Sequence, residues 1–97
     1  DGKLTRIDPL SNQVVTSIPV GIEPGFVTFA GDSAWVSMDG EPTIVRVSAA
    51  SNTVTARVGV AGGNWGIAGG SNAVWSVQTM TVAGIPVTPG YLTRISF

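Results

Sequence analysis

The chain has 97 residues, of which 43% are hydrophobic, so it carries enough apolar material for a packed core and is not a disordered tail. Five Lys and Arg stand against six Asp and Glu, and a net charge of -1 gives no field that would attract nucleic acid or an anionic membrane. With no cysteine and no histidine, the sequence excludes disulfides, thiolate chemistry and the commonest general base, and we expect no catalytic residue, metal site or cofactor here.

Short strands and tight turns dominate the predicted secondary structure. Thirteen Gly and six Pro punctuate a chain that is otherwise rich in Val, Ser and Thr, and no apolar run approaches the roughly 20 residues of a membrane-spanning helix. The sequence predicts an all-β fold without membrane insertion. In chain order the predicted strands are 4–8, 14–20, 26–30, 34–38, 43–48, 53–60, 65–68, 73–79 and 91–96.

A forty-residue internal repeat organises these strands. The matching segments are 4–7 with 44–47, 11–15 with 51–55, 18–21 with 58–61 and 34–37 with 74–77, with a slip of one or two residues expected in the glycine-rich stretches between them. Residues 92–95 repeat the first element once more, now 48 residues after its second copy, because residues 80–89 carry an insertion.

Four strands per forty residues is the size of a β-propeller blade. The repeat predicts about two four-stranded antiparallel blades of an incomplete ring, in which residues 1–21 form the outer half of a blade, 22–60 a complete blade and 61–97 most of a further blade. Propellers need four to eight blades to close, so we expect a fragment truncated at Phe97, whose partners include the remaining blades of the same propeller.

Strand alternation predicts which side chains share a face of the outer strands. Alternate residues point to the same side of a strand, so one face carries Val14, Thr16, Ile18 and Val20, and the next repeat presents Val54, Ala56, Val58 and Val60. Asn12 and Asn52 fall in Ser-Asn turns, where asparagine tolerates a positive φ.

The repeat resembles the forty-residue YVTN-type propeller repeats, which are related to the streptogramin (virginiamycin B) lyase-like propellers. The segments that carry the resemblance are Arg-Ile-Asp-Pro at 6–9, Asn12, Val-Val at 14–15, Ile-Pro-Val-Gly at 18–21, Gly-Ile-Ala-Gly at 66–69 and Ala-Val-Trp at 73–75. The resemblance implies an exported bacterial protein in a periplasmic or extracellular setting. It does not imply one activity, because one fold hosts many functions.

Lyase-type members of this family are expected to use a catalytic histidine, and many such repeats place a histidine in a Pro-His-Gly-Ile phrase. The matching phrase here is Asn-Trp-Gly-Ile at 64–67, with Trp65 at the place of the histidine, and the earlier repeat has a shortened phrase at 23–26. We therefore expect a non-catalytic scaffold that binds a ligand or a protein. The alternatives are part of a lyase-like enzyme whose histidine lies outside this chain, and a sensor module of a membrane-bound signalling protein.

By analogy with the family, ligands would contact the loops that enter each inner strand and those between the second and third strands. In this chain these loops are 21–25, 39–42, 61–64 and the insertion 80–89, and we call the end of the molecule that carries them the loop end. A protein or small molecule would bind there. The candidate ligand-binding residues are Glu23, Asp39, Glu41, Asn64, Trp65 and Gln78.

Trp65, the two carboxylates of the turn and the insertion also have structural interpretations. Trp65 could stack on a sugar or an aromatic ligand, but a core aromatic is favoured. Asp39 and Glu41 could donate oxygens to calcium, but two carboxylates fall short of the six to eight ligands that calcium takes, which favours a solvated turn. The insertion could be a binding loop, although an extended hairpin or a contact with a neighbouring blade is favoured.

Two sets of recurring residues are interpreted as structural. Trp35 and Trp75 occupy the same repeat position and should pack between blades. An arginine also recurs once per repeat and should span blades or lie along them, because a catalytic residue has no reason to recur. These arginines are Arg6, Arg46 and Arg94.

Overall fold

A computed structural model shows an all-β chain, with nine strands in the residues that it describes. It describes the backbone of residues 2–60, 63–82 and 85–97, and the side chains of 2–60, 66–78 and 92–97. All nine strands expected from the sequence form. They are β1 (Lys3–Asp8), β2 (Gln13–Pro19), β3 (Pro24–Ala30), β4 (Ser33–Met38), β5 (Thr43–Ser48), β6 (Thr53–Gly59), β7 (Gly63–Gly69), β8 (Ala73–Val82) and β9 (Ile85–Ser96).

Three antiparallel sheets follow one another along the chain. The first sheet is β1-β2, the middle sheet is β3-β4-β5-β6 and the last sheet is β7-β8-β9, each with its strands in sequence order. Within the part of the chain that the structure describes, no helix is long and apolar enough to cross a membrane.

The forty-residue repeat is reproduced in the strand pairing. Thr28 pairs with Trp35 in the middle sheet as Ala68 pairs with Trp75 in the last. The offset stays at forty through this hairpin, so the expected slip of one or two residues is wrong. Since the register irregularity before Phe26 recurs before Gly66, Trp65 takes the place of Gly25.

A second irregularity repeats in the outer strands. The pairing of β1 with β2 shifts between Arg6 and Ile7, and that of β5 with β6 shifts between Arg46 and Val47. In both sheets the outer strand therefore carries one extra residue, at position 15 or 55, and such an insertion reverses the alternation of side chains beyond it.

This bulge corrects the predicted face of the outer strands. Val54 packs against the core between the first and middle sheets, whereas Val60 packs against the core between the middle and last sheets. Ile18 of β2 and Val20 just after it are buried in the first of these cores, while Val14 is 63% exposed. The four residues expected on one face of each outer strand are thus divided between two.

The sheets stack face to face through two hydrophobic cores. Valines of β4 and β5 join Ile18 and Val20 of the first sheet on one face of the middle sheet. On the other face, Trp35 and Ile44 pack with Val74 of the last sheet. The two central strands of the middle sheet are consequently covered on both faces.

The Asn turns form as expected. Asn12 has a φ of 57° and Asn52 a φ of 56°, and each backbone N–H donates to the carbonyl four residues earlier, at Asp8 and Ser48. The side chains of Asp8 and Ser48 accept further N–H groups within their own turns, from Leu10 and Ala50. The two turns therefore use the same backbone geometry with different side chains.

The insertion extends a hairpin. In the middle sheet β4 and β5 end their pairing at Ser37 and Ile44, whereas β8 and β9 continue to Val82 and Ile85 after an irregularity beyond Gln78. The favoured interpretation of residues 80–89 as an extended hairpin is confirmed for the backbone that the structure describes.

Candidate functional site

The connections that follow β2 and β4 meet at the loop end of the stacked sheets. The backbone N–H of Asp39 donates to the carbonyl of Glu23 at 2.7 Å, which joins these two loops directly. The N–H of Val60, just after β6, donates to the carbonyl of Pro42 at 2.9 Å. Since β8 runs antiparallel to β7, its extended hairpin starts from this end too. Loops 21–25 and 39–42 are therefore brought together at one end, and residues 61–62 and 83–84 of the other two expected loops lie outside the described residues.

Glu23 and Asp39 present exposed side chains at the loop end. Glu23 has a φ of 53°, a left-handed conformation that turns the chain between the first and middle sheets. A side chain at Gly25 would lie about 2.7 Å from the Asp39 carboxylate, so the glycine leaves room for that group against the backbone. A cleft of about 440 Å³ next to Glu23 is lined by Gly2, Lys3, Gly21, Ile22, Glu23 and Pro24.

Glu41 has a structural role that the sequence analysis did not find. Its carboxylate accepts a hydrogen bond from the Thr43 hydroxyl at 2.7 Å and lies 3.5 Å from Nη1 of Arg57. The same Nη1 donates to the carbonyl of Val20 at 2.8 Å, so Glu41 and Arg57 tie the middle sheet to the first. The expected solvated turn is wrong for Glu41, whose side chain is 28% exposed, and holds for Asp39. Among the described residues no three acidic side chains group as metal ligands would.

Gln78 is fully buried within the last sheet rather than displayed to a ligand. Its Oε1 accepts from the Thr93 hydroxyl at 2.5 Å, and its Nε2 donates to Oγ of Ser76 at 2.8 Å. Ser76 in turn donates to the carbonyl of Gly66 at 3.1 Å. We call Ser76, Gln78 and Thr93 the polar ladder. Its positions correspond to three apolar residues of the middle sheet, Val36, Met38 and Val45.

Asn64 and Trp65 lie in β7, and their side chains are outside the described residues. The backbone of Asn64 pairs with that of Gln78, so both candidates belong to the loop end of the last sheet. Residues 79–91 of the extended hairpin likewise have side chains outside the described part.

The recurring arginines link one sheet to the next or lie over an aromatic ring. Arg6 of the first sheet donates from Nη1 to the Ala49 carbonyl and to Oδ1 of Asn52, each at 2.7 Å. The guanidinium carbon of Arg46 lies 5.1 Å from the ring centroid of Trp35 and 5.2 Å from that of Phe97. These contacts confirm the structural interpretation of both arginines.

The equivalent pair in the last sheet, Trp75 and Arg94, is more exposed to solvent. Arg94 lies 5.7 Å from the ring centroid of Trp75, which is the same arrangement as Arg46 over Trp35. Trp35 is only 2% exposed, as a packing residue should be, whereas Trp75 is 42% exposed. Trp75 therefore stacks with Arg94 as Trp35 does with Arg46, but among the described residues its ring is not enclosed between two sheets, so the packing expected of Trp75 is not seen.

A second cleft, of about 280 Å³, opens between the first and middle sheets. Its floor is apolar and includes Val27 and Phe29 of β3, which are 57% and 61% exposed, with Arg6 and Asn52 at one side. This cleft lies away from the loops that were predicted to bind a ligand. The first sheet has two strands whereas the middle sheet has four, which leaves Val27 and Phe29 of β3 largely uncovered on this side.

Comparison of the chain with models of known protein families, with curated proteins and with solved structures finds no match. The loop end carries the exposed carboxylates of Glu23 and Asp39, and Lys3 lines the cleft together with Glu23.

Proposed function

We propose that this chain is a run of β-propeller repeats that acts as a non-catalytic binding scaffold, with its ligand or protein partner held at the loop end. The setting that goes with the resemblance to YVTN-type repeats is an exported bacterial protein. The observation that carries the proposal is the forty-residue repetition of strand pairing, including its bulges, in sheets that stack face to face.

The two ends of the stacked sheets differ in their connections, and this difference supports a scaffold. At the end opposite the loop end, tight turns close each outer hairpin with local hydrogen bonds from Asp8 and Ser48. The loop end instead carries the left-handed Glu23, the exposed Asp39 and the extended hairpin. Variable loops on a rigid sheet framework are the common location of binding sites.

The charge at the loop end favours a partner that brings positive charge. Glu41 is neutralised by Arg57, which leaves Glu23 and Asp39 as exposed carboxylates with Lys3 beside the cleft. Exposed ion pairs contribute about 0.2–1 kcal/mol each, so binding through these groups should be weak, selective for cationic groups and sensitive to salt.

The experiment titrates the isotope-labelled chain with trilysine and measures the change in backbone amide chemical shifts. Triglutamate is the probe of opposite charge. We expect trilysine to shift the amides of residues 21–25 and 39–42 and triglutamate to leave them in place. Glu23→Gln and Asp39→Asn should each weaken trilysine binding about 1.4- to 5-fold, which corresponds to the loss of one exposed ion pair worth about 0.2–1 kcal/mol.

Asp32→Asn is the matched control, because it removes one exposed carboxylate from the β3–β4 turn at the opposite end, where Asp32 pairs with Arg46. It should leave the trilysine affinity unchanged. Equal shifts over both ends of the molecule, or an equal loss in Asp32→Asn and Glu23→Gln, would show general charge attraction and refute a site at the loop end.

A further inference from the structure

The uncovered face of the last sheet repeats a face that is covered in the middle sheet. Trp35 and Arg46 lie on the side of the middle sheet that packs against the last sheet. Trp75 and Arg94 occupy the same positions on the last sheet, with the same stacking, but this face has no sheet over it in the described residues. Leu92 on this face is 65% exposed, whereas its counterpart Ile44 is completely buried. We call this surface the Trp75 face.

The first sheet exposes the complementary half of the same kind of interface. Its outward surface carries Ile7 and Val14, which are 59% and 63% exposed. Their counterparts in the middle sheet are Val47, which is 3% exposed, and Val54, and both pack under the first sheet. We call this surface the Ile7 face. One chain thus presents two apolar faces whose equivalents are already in contact between its own first and middle sheets.

A polar contact specifies how such faces fit together. Between the first and middle sheets, Arg6 donates to the Ala49 carbonyl and to the side chain of Asn52 in the next turn. Arg94 is the counterpart of Arg6, and Asn12 is the counterpart of Asn52 with nearly the same left-handed φ. The acceptors that Arg94 would need are therefore present on the Ile7 face, at the Pro9 carbonyl and the Asn12 side chain.

We propose that a second copy of this chain covers the Trp75 face, and that it does so with its Ile7 face. The copies associate head to tail, with Leu92 and Trp75 of one copy packed against Ile7 and Val14 of the next. Arg94 of the first copy then donates to Asn12 of the second. This interface continues the stacking of the three sheets within one chain, and it is heterologous because each copy contributes a different surface.

The test uses one charged substitution on each face. Leu92→Asp places a carboxylate on the Trp75 face, and Ile7→Asp places one on the Ile7 face. Ile22→Asp is the matched control, because Ile22 is 63% exposed but lies in the loop between the first and middle sheets. Solution mass is measured by light scattering after size exclusion, over concentrations from about 1 µM to about 1 mM, with circular dichroism to confirm that each variant is folded.

We expect the mass of the unmodified chain and of Ile22→Asp to rise above the monomer value of 9.9 kDa with concentration. Leu92→Asp and Ile7→Asp should each stay monomeric when alone. Mixed one to one, they should form dimers and nothing larger, because Leu92→Asp keeps an intact Ile7 face and Ile7→Asp keeps an intact Trp75 face.

Three results would overturn the proposal. The unmodified chain could remain monomeric across the whole range. One of the two face variants could associate by itself as the unmodified chain does, which would indicate a symmetric contact or pairing of exposed strand edges. The mixture could also fail to form dimers while both variants are folded.

Discussion

Replacing Gln78 with methionine tests whether the polar ladder is held together by its hydrogen bonds or tolerated in spite of its polarity. The equivalent residue of the middle sheet is Met38, so the change copies a side chain that the same fold already buries completely. In the last sheet, however, Gln78→Met removes the acceptor of the Thr93 hydroxyl and the donor to Ser76.

The expected loss of stability follows from Ser76 and Thr93, which each lose a hydrogen bond to Gln78. A buried polar group that loses its hydrogen bond costs about 1–3 kcal/mol, and burying the more apolar methionine side chain returns about 1–2 kcal/mol. Taking about 2 kcal/mol for each of the two partners and about 1.5 kcal/mol for the return, we expect Gln78→Met to lower the free energy of unfolding by about 2–3 kcal/mol. For a chain of this length each kcal/mol corresponds to a fall in Tm of about 4–8 °C.

The triple variant Ser76→Val, Gln78→Met and Thr93→Val replaces the whole ladder with the apolar residues of the middle sheet. The hydrogen bonds among the three ladder side chains then lose both of their partners, which can be nearly neutral, whereas the Gly66 carbonyl loses its bond from Ser76. We expect the triple variant to recover at least half of the loss. Met38→Gln is the reciprocal control and should also destabilise, because it puts an amide among Val36 and Val45.

Urea unfolding followed by tryptophan fluorescence measures all of these variants on one scale. If Gln78→Met is as stable as the unmodified chain or more so, apolar burial alone governs this position. If the triple variant is less stable than Gln78→Met, the reasoning from unpartnered groups is wrong.

Further substitutions test the packing, the turns and the loop end. Gly69→Ala should lower the free energy of unfolding by about 1–3 kcal/mol, because its Cβ would lie 2.8 Å from a carbonyl oxygen of β3, whereas Gly59→Ala has open space and should be neutral in the same urea assay. Asn12→Ala should cost about 1 kcal/mol in the left-handed turn and Asn12→Gly much less, which thermal unfolding can compare. Glu41→Gln should lower the free energy of unfolding by less than about 1 kcal/mol, and this loss should shrink in high salt because the ion pair with Arg57 is partly exposed. An equal loss at all salt concentrations would count against the ion pair.

The repeat was the most informative feature of the sequence for the fold. Matching letters forty residues apart, with turn residues between short β-branched runs, predicted all nine strands and the left-handed Asn turns. The sequence did not reveal the bulge in each outer strand, because the extra residue at position 55 is a threonine, which does not distinguish a bulge from a regular strand. Its effect is visible only in the pairing of Val47 with Val54.

The candidate site was predicted in location more than in detail. Loop positions placed Glu23 and Asp39 at one end, since antiparallel strands bring alternate connections together. The role of Glu41 depends on Arg57, which has no counterpart in the first repeat, where Ser17 stands. Gln78 was predicted as a ligand-binding residue, but its hydrogen bonds with Ser76 and Thr93 favour its burial within the sheet.

The extended hairpin shows that the repeat can change in length at the tip of this hairpin. Eight more residues separate Arg46 from Arg94 than separate Arg6 from Arg46, yet Trp75 faces Arg94 across the strands as Trp35 faces Arg46. Residues added at the tip of a hairpin leave every pair below them in register. Evolution can therefore lengthen or shorten the repeat at this end without disturbing the stack, so new recognition surfaces can arise there while the fold is conserved.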